Sequence, residues 1–395
     1  MGKFLFIVPP LAGHVNPTLG LGTKLLDHGH QVGWISFDPA LGQKIPDGAD
    51  FLLLESDIDE AEKEKIKNEL IEVGKQVVYG LDSLKFLYEE VLIPMNSRML
   101  EGIKKLVDDY QPDVIINDQQ IFAGSVAAIQ KNICYVTSVT APAAIKVNEA
   151  LPKIYEWEGQ QVISFQKENG INENVRLDCS PLLTLVYTSE QFFGNYKLPD
   201  NFKFIGPTIE RKEIVDDFAW EKLEEIKDRS KILISLGTTF DHTQKSAFFS
   251  KIVEAFEQEE ILVVVISDPT LFEHIPDNFI VRKQIPQLKI IPMMDAVVCH
   301  GGNNTVCEAL SYAKPLVVLP IAYDQSYVAG CVVDSGSGIR LNFNRFRSSQ
   351  LRDAVYKVLE EDGYKNNAEL VRKSFMETGG VDRAVDYLEE ILMKK

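Results

Sequence analysis

The segment Cys299-His300-Gly301-Gly302-Asn303-Asn304-Thr305-Val306-Cys307-Glu308-Ala309-Leu310 carries the densest chemistry in the chain. An apolar strand ends at His300, two glycines make a turn, and a helix begins near Asn303. Glycines let a ligand approach the backbone, and a helix start offers N–H groups at the positive end of its dipole. This is an anion site suited to a pyrophosphate, and His300 is placed to hydrogen-bond a phosphate oxygen. Asn304 and Glu308 share a helical face, where the carboxylate can accept both hydroxyls of a ribose. A plain strand–helix turn with a satisfied histidine is the competing reading. Beyond the next strand, Asp324-Gln325 sets an acid beside an amide, matched to neighbouring sugar hydroxyls. Turn chemistry accounts for that aspartate equally well.

A second pair lies early in the chain. His14 falls in the loop after the first apolar strand, and Asp118 follows the strand Val114–Asn117. Histidine titrates near neutrality, which suits it to take a proton from an alcohol as the oxygen attacks. A carboxylate on the far ring nitrogen orients the imidazole and stabilises its charged form. Taken singly, His14 reads as a helix-start residue and Asp118 as a strand-end cap. His28, His30, His242 and His274 lack such company and read as surface residues.

Short apolar runs alternating with helical patterns must position these groups, the signature of α/β units around parallel sheets. Phe4–Pro9 and Gln31–Ser36 read as strands, and Asn16-Pro17 as an N-cap with proline at the first helical position. The same opening recurs with the strand Lys231–Ser235, the loop Leu236–Thr239 and a helix over Gln244–Glu257. Val263–Ser267, Ala296–His300 and Leu316–Pro320 are further strands. Two tandem Rossmann-like domains follow, 1–207 and 208–380, joined near Ile205–Thr208 before the charged stretch Glu210–Asp217. Residues 55–75 form a charge-rich helical insertion, and 381–395 a final helix. Open parallel sheets bind ligands beyond the carboxyl ends of their strands. Two such domains facing each other make a cleft there.

The whole chain sets outer bounds. With 395 residues, 41 Lys+Arg against 58 Asp+Glu and a net charge of −17, it has ordinary globular composition and an acidic balance. That balance disfavours nucleic-acid binding, which needs a basic footprint. No apolar run approaches a membrane span, and the N-terminus lacks a signal peptide's long apolar core. Five widely spaced cysteines without a CxxC pattern read as reduced thiols in a cytoplasm.

The combination HGGNNTVCEAL, KPLVVLP and DQ resembles the nucleotide-sugar signature of family 1 glycosyltransferases. The opening PPLAGHVNPTLGLGTKLLDHGHQV is similar to that of bacterial macrolide and natural-product members, and SLGTTF and IPQLKIIP match further stations in the same order. The resemblance implies the GT-B fold and an inverting, metal-independent transfer of a hexose, glucose from UDP-glucose, to a hydroxyl of a small lipophilic acceptor. It places the base at His14 and its orienting acid at Asp118. Thr238, His300, Asn304 and Thr305, with the Gly301-Gly302 turn, would hold the diphosphate. Glu308 would hold the ribose, Gln287 would lie near the base, and Asp324 with Gln325 would hold the sugar. No cofactor or metal is implied beyond the nucleotide sugar, and the protein would be a monomer or weak dimer. The resemblance also implies that the final helix packs back on the first domain. One departure is Gln284, where the family often has a base-stacking tryptophan. Phe86, Tyr88, Ile145 and Trp157 are acceptor-lining candidates that read equally as core. A nucleotide-sugar epimerase of the same fold and a non-catalytic helper are the alternatives.

Overall fold

The structure, a computed structural model, describes residues 1–55, 85–143, 145, 152–194, 198–209, 218–225, 228–237, 242–321 and 324–394. The expected insertion therefore lies outside the described residues, save residue 55, as does the stretch 210–217.

The first unit is built on a parallel sheet of β1 (Lys3–Ile7), β2 (Gln31–Ser36), β3 (Asp50–Leu53), β4 (Val114–Asp118), β5 (Cys134–Val139), β6 (Thr184–Val186) and β7 (Phe202–Phe204). Their spatial order is β3-β2-β1-β4-β5-β6-β7. A parallel sheet is covered on both faces, so its strands read as near-continuous apolar runs; Phe4 to Ile7 are fully buried. Alternation then divides the strand side chains. Phe4, Phe6, Val114, Ile116 and Val136 join the core under α1 (Ala12–Asp27). Leu5, Ile7, Ile115 and Tyr135 join the core on the other face, with α2 (Ile93–Tyr110), α3 (Phe122–Gln130) and α4 (Pro152–Glu168).

The second unit repeats the plan. Its sheet runs β10-β9-β8-β11-β12-β13, from β8 (Ser230–Ser235), β9 (Ile261–Ile266), β10 (Phe279–Arg282), β11 (Ala296–Cys299), β12 (Leu316–Val318) and β13 (Gly338–Arg340). Among its helices are α5 (His242–Phe256), α6 (Asn303–Ser311), α7 (Gln325–Asp334), α8 (Ser348–Glu360) and α9 (Asp362–Glu377). Helices α5 and α8 pack together through Phe248, Phe249, Ile252, Leu351 and Val355.

The chain rejoins the first unit from Phe375 onward. Helix α10 (Gly380–Met393) buries Ala384, Val385, Leu388 and Ile391, one helical face, in the α1-side core beside Leu21 and Leu25. Glu389 anchors it, accepting from His28 Nδ1 at 3.1 Å and His30 Nε2 at 3.0 Å. The Gly2 N–H donates to His30 Nδ1, which leaves Nε2 to carry the proton for Glu389. His30 is thus buried, at 8% exposure, and not the surface residue its isolation in sequence suggests.

Helix α1 also begins earlier than its sequence signals. Leu11 is the extended N-cap, and the amides of His14 and Val15 both donate to its carbonyl. Asn16 and Pro17 sit inside the helix. Pro17 lacks the amide that would reach the Gly13 carbonyl, so the first turn is held by the Leu11 bonds. His14 consequently lies in that first helical turn, not in a loop. None of the five cysteines is bridged. Among the described residues no helix is long and apolar enough to cross a membrane.

Candidate active site

Strand order reverses between β1 and β4 in the first sheet, and between β8 and β11 in the second. Ligands of open α/β sheets bind at such switch points. Both groups of chemically interesting residues gather there.

At the first switch point, β4 ends in Asp118 and α1 begins after β1 with His14 in its opening turn. Asp118 shares the face of Val114 and Ile116, which is the α1 face. The 104-residue separation in sequence thereby closes to 2.9 Å between His14 Nδ1 and Asp118 Oδ2. Side-chain exposure is 13% for His14 and 1% for Asp118. Asp118 Oδ1 accepts from the Gln120 amide at 2.9 Å. Thr140 Oγ1, just beyond β5, lies 3.1 Å from the same His14 Nδ1. A buried carboxylate accepts, so the hydrogen-bond network assigns the proton to Nδ1 and the lone pair to Nε2. That is the tautomer a general base needs. The turn after β4 is stiffly built. Asn117 Nδ2 donates to the carbonyls of Asp118 and Ile121, while Asn96 bonds the Gln120 carbonyl and the Ala123 amide.

The second switch point is made mostly of backbone. After β11 come His300 and Gly301, the latter at φ +88°, and Gly302 is the N-cap of α6. The His300 ring fills the space between two glycines. A Cβ on Gly237 would meet its Cε1 at 2.6 Å, and one on Gly302 would meet its Nε2 at 2.6 Å. Only glycine admits the ring at both points. His300 Nδ1 faces the Ser235 carbonyl at 3.4 Å, and burial lowers its pKa while that carbonyl raises it. A carbonyl can only accept, so Nδ1 holds the proton and neutral His300 presents a lone pair at Nε2.

Further along α6, Glu308 is 3% exposed and accepts from Gln287 Nε2 at 2.5 Å. The structure thus joins the residues expected near ribose and base. Asn304 and Thr305 occupy the first turn of α6, where backbone amides lack helical partners. Asp324 precedes α7, and Gln325 Oε1 closes the loop after β12 by accepting from the Ile321 amide at 2.8 Å. Thr238 lies outside the described residues. Gln284 is exposed in the loop after β10. A cavity of about 770 Å³ at the outer edge of this sheet is lined by Arg340, Asp353 and Lys357, among others. It sits at β13, two strands from the switch point, and none of the expected donor residues lines it.

Of the acceptor candidates, Tyr88 is buried and meets Trp157 edge-on at 5.7 Å and Phe122 at 6.1 Å. Phe86 and Ile145 are half-buried. Sequence reasoning passed over Thr140. Its signal is period two: Val136, Ser138 and Thr140 alternate on the α1 side, turning from apolar to hydroxyl at the strand's carboxyl end.

The family profile for the erythromycin biosynthesis protein CIII-like C-terminal domain matches residues 249–390. The chain is 28% identical to the NDP-glycosyltransferase YjiC of Bacillus subtilis (strain 168), over 98% of this chain and 96% of that protein. It is 26% identical to the uncharacterized UDP-glucosyltransferase YdhE of the same organism, over the full length of both. The crystal structure of CalG4, the calicheamicin glycosyltransferase, superposes with a TM-score of 0.77 at 22% identity, covering 99% of this chain and 98% of that one. With similarity running end to end, the chain has the two-sheet GT-B fold and is similar over its whole length to family 1 glycosyltransferases of the bacterial natural-product NDP-glycosyltransferase kind.

Proposed function

We propose that the protein transfers glucose from UDP-glucose to a hydroxyl of a small lipophilic natural product, inverting the anomeric centre without a metal. The observation that carries this reading is the buried Asp118 carboxylate 2.9 Å from His14 Nδ1. His14 Nε2 takes the acceptor's O–H proton as that oxygen attacks the anomeric carbon. The bond from that carbon to the diphosphate oxygen breaks on the opposite face, and UDP departs with the electron pair. Asp118 stabilises the imidazolium formed. Charge growing on the diphosphate falls to the Gly301-Gly302 turn and the first turn of α6, oriented dipoles that need no reorganisation. Glu308 takes the ribose hydroxyls, Gln287 lies by the base, and Asp324 with Gln325 binds the sugar. Phe86, Tyr88, Ile145 and Trp157 contribute to the acceptor side. The name of the YdhE relative supports UDP-glucose, and that of CalG4 supports a natural-product acceptor. Gln284 offers an amide where a ring would stack, so dTDP-glucose should also serve.

The test incubates the protein with UDP- or dTDP-glucose, a panel of hydroxylated aglycones and EDTA. Mass spectrometry identifies products and proton NMR reads the anomeric configuration. A β-glucoside is expected. An α-glucoside, or conversion of UDP-glucose to an epimeric nucleotide sugar without transfer, would overturn the reading.

A further inference from the structure

Behind Asp118 the same sheet face carries two buried hydroxyls that make no hydrogen bond of good geometry. Asp118 stands opposite Ser138 in the β4–β5 register, and Ser138 opposite Leu185 in the β5–β6 register. Tyr187, two residues past Leu185, returns to that face and joins the α1-side core. Neighbouring strands are about 4.8 Å apart, so Asp118 and Ser138 stand side by side, while Tyr187 lies just past the end of β6, one step further along the same face, its amide donating to the Val139 carbonyl. All three are buried, at 0%, 0% and 1% exposure. Ser138 Oγ and Tyr187 Oη make no hydrogen bond of good geometry and approach only each other, loosely. Buried polar groups are rarely left so, and each such group calls for an explanation.

The groups around these hydroxyls narrow the explanation. Burial pushes the Tyr187 phenol well above its ordinary range; the nearby Ser138 hydroxyl draws it down, and the Asp118 charge raises it again. Tyr187 therefore keeps its proton and remains a donor. Asp118 accepts from His14 Nδ1 and the Gln120 amide, and a carboxylate has room for about four bonds. The ionisable groups meeting here are His14 from α1, Asp118 from β4 and Tyr187 after β6; β5 brings the hydroxyls of Ser138 and Thr140.

We propose that Ser138 and Tyr187 are positioning residues for the dyad, their hydroxyls donating toward the Asp118 carboxylate through one water. The role rests on His14 acting as the base, as argued above. Donors behind the carboxylate share its charge, so Asp118 orients the imidazole without binding the imidazolium so strongly that the base is spent. Removing them concentrates the charge on His14 and makes the imidazole easier to protonate.

The experiment titrates the imidazole of His14 by NMR in the full-length protein labelled in histidine, with His14→Ala identifying its signal. Tyr187→Phe and Ser138→Ala are compared with wild type. Both should move the His14 midpoint upward, by about half a pH unit or more, with melting curves checking that the fold is kept. Ser138→Ala is the smaller change and stands alone if Tyr187→Phe does not fold. The acid limb of the transfer rate should move up by the same amount, while the KM for donor stays constant. A loss of packing alone would leave the midpoint in place. Midpoints unchanged or lowered in the folded variants would overturn the proposal. Raised midpoints in a protein whose His14→Ala variant still transfers sugar would instead overturn the role of His14 and keep the coupling.

Discussion

The two switch points share a topology and solve opposite problems. At the first, side chains dominate: a strand ends in a buried carboxylate, and a helix turn brings a histidine 2.9 Å from it. At the second, the backbone dominates: glycines flank a buried imidazole whose proton is turned toward the Ser235 carbonyl, and a helix starts at Gly302. On the proposed function the difference follows from what each must handle. A proton needs one group of matched basicity, whereas a diphosphate needs several fixed dipoles. The contrast teaches that one strand–turn–helix frame accepts either task, according to whether its last strand positions are polar or glycine.

The sharpest way to break the comparison is to remove the base. His14→Ala should lower kcat by about 10²–10⁴-fold and leave UDP affinity by calorimetry within about twofold. A large loss of UDP affinity in that variant would mean that the two tasks are not divided between the switch points.

The halves also hold carboxyls shifted in opposite directions. In the first, Glu158 on α4 is 3% exposed, and its carboxyl is pushed up to about 7 by burial, with Arg176 opposing and Asp178 adding. In the second, Asp268 and Glu369 are lowered instead, by hydrogen bonds from Lys283 and Arg372 at the surface. A carboxyl raised in the folded state binds more protons there than in the unfolded chain. Stability is therefore lost as pH rises from about 4.5 to about 7. Glu158→Gln should gain on wild type between pH 5 and pH 8 by on the order of 3 kcal/mol in urea melts. A constant gap would show that Glu158 ionises unhindered.

Gly302→Ala tests the backbone side. Gly302 has an ordinary φ of −63°, so its Cβ brings no backbone strain, only the 2.6 Å clash with His300. UDP affinity should drop at least about tenfold, roughly 1.4 kcal/mol, with the His14 titration unmoved. Unchanged affinity would show that the ring can leave its slot without consequence.

The smallest expected effect is a proton. Neutral His300 presents a lone pair at Nε2, so a phosphate oxygen there requires that nitrogen to be protonated. Bound diphosphate then raises the His300 pKa above its lowered unbound value, and UDP affinity should strengthen several-fold as pH falls from 8 to 6. Calorimetry in two buffers of different ionisation enthalpy should register proton uptake. Binding without uptake would place the phosphates away from His300.

Much of this site was legible locally. β2 runs over Gln31–Ser36 as its apolar run indicates, and α10 over Gly380–Met393 lies within two residues of the expected 381–395. The Gly-Gly turn before Asn303 and the face shared by Asn304 and Glu308 are properties of adjacent residues, set by glycine's freedom and the helical period. The start of α1 was misleading because Asn16-Pro17 satisfies every rule for a helix start, while the Leu11 carbonyl already holds the turn before it.

By itself the sequence determined the alternation of buried strands and helices, the tight turn at Gly301-Gly302, and the residue types available for acid–base work. Tertiary structure decided which of them meet. Strand order sets β4 beside β1 and strand parity turns Asp118 toward α1, so that His14, Thr140, Ser138 and Tyr187 share one side of the sheet. It likewise set Gln287 against Glu308 and slid the His300 ring between Gly237 and Gly302. The physical reason is that propensity, capping and glycine geometry act over a few residues. Contacts between distant segments depend instead on loop closure and on which apolar faces can be buried together, and neither can be read from one stretch of chain.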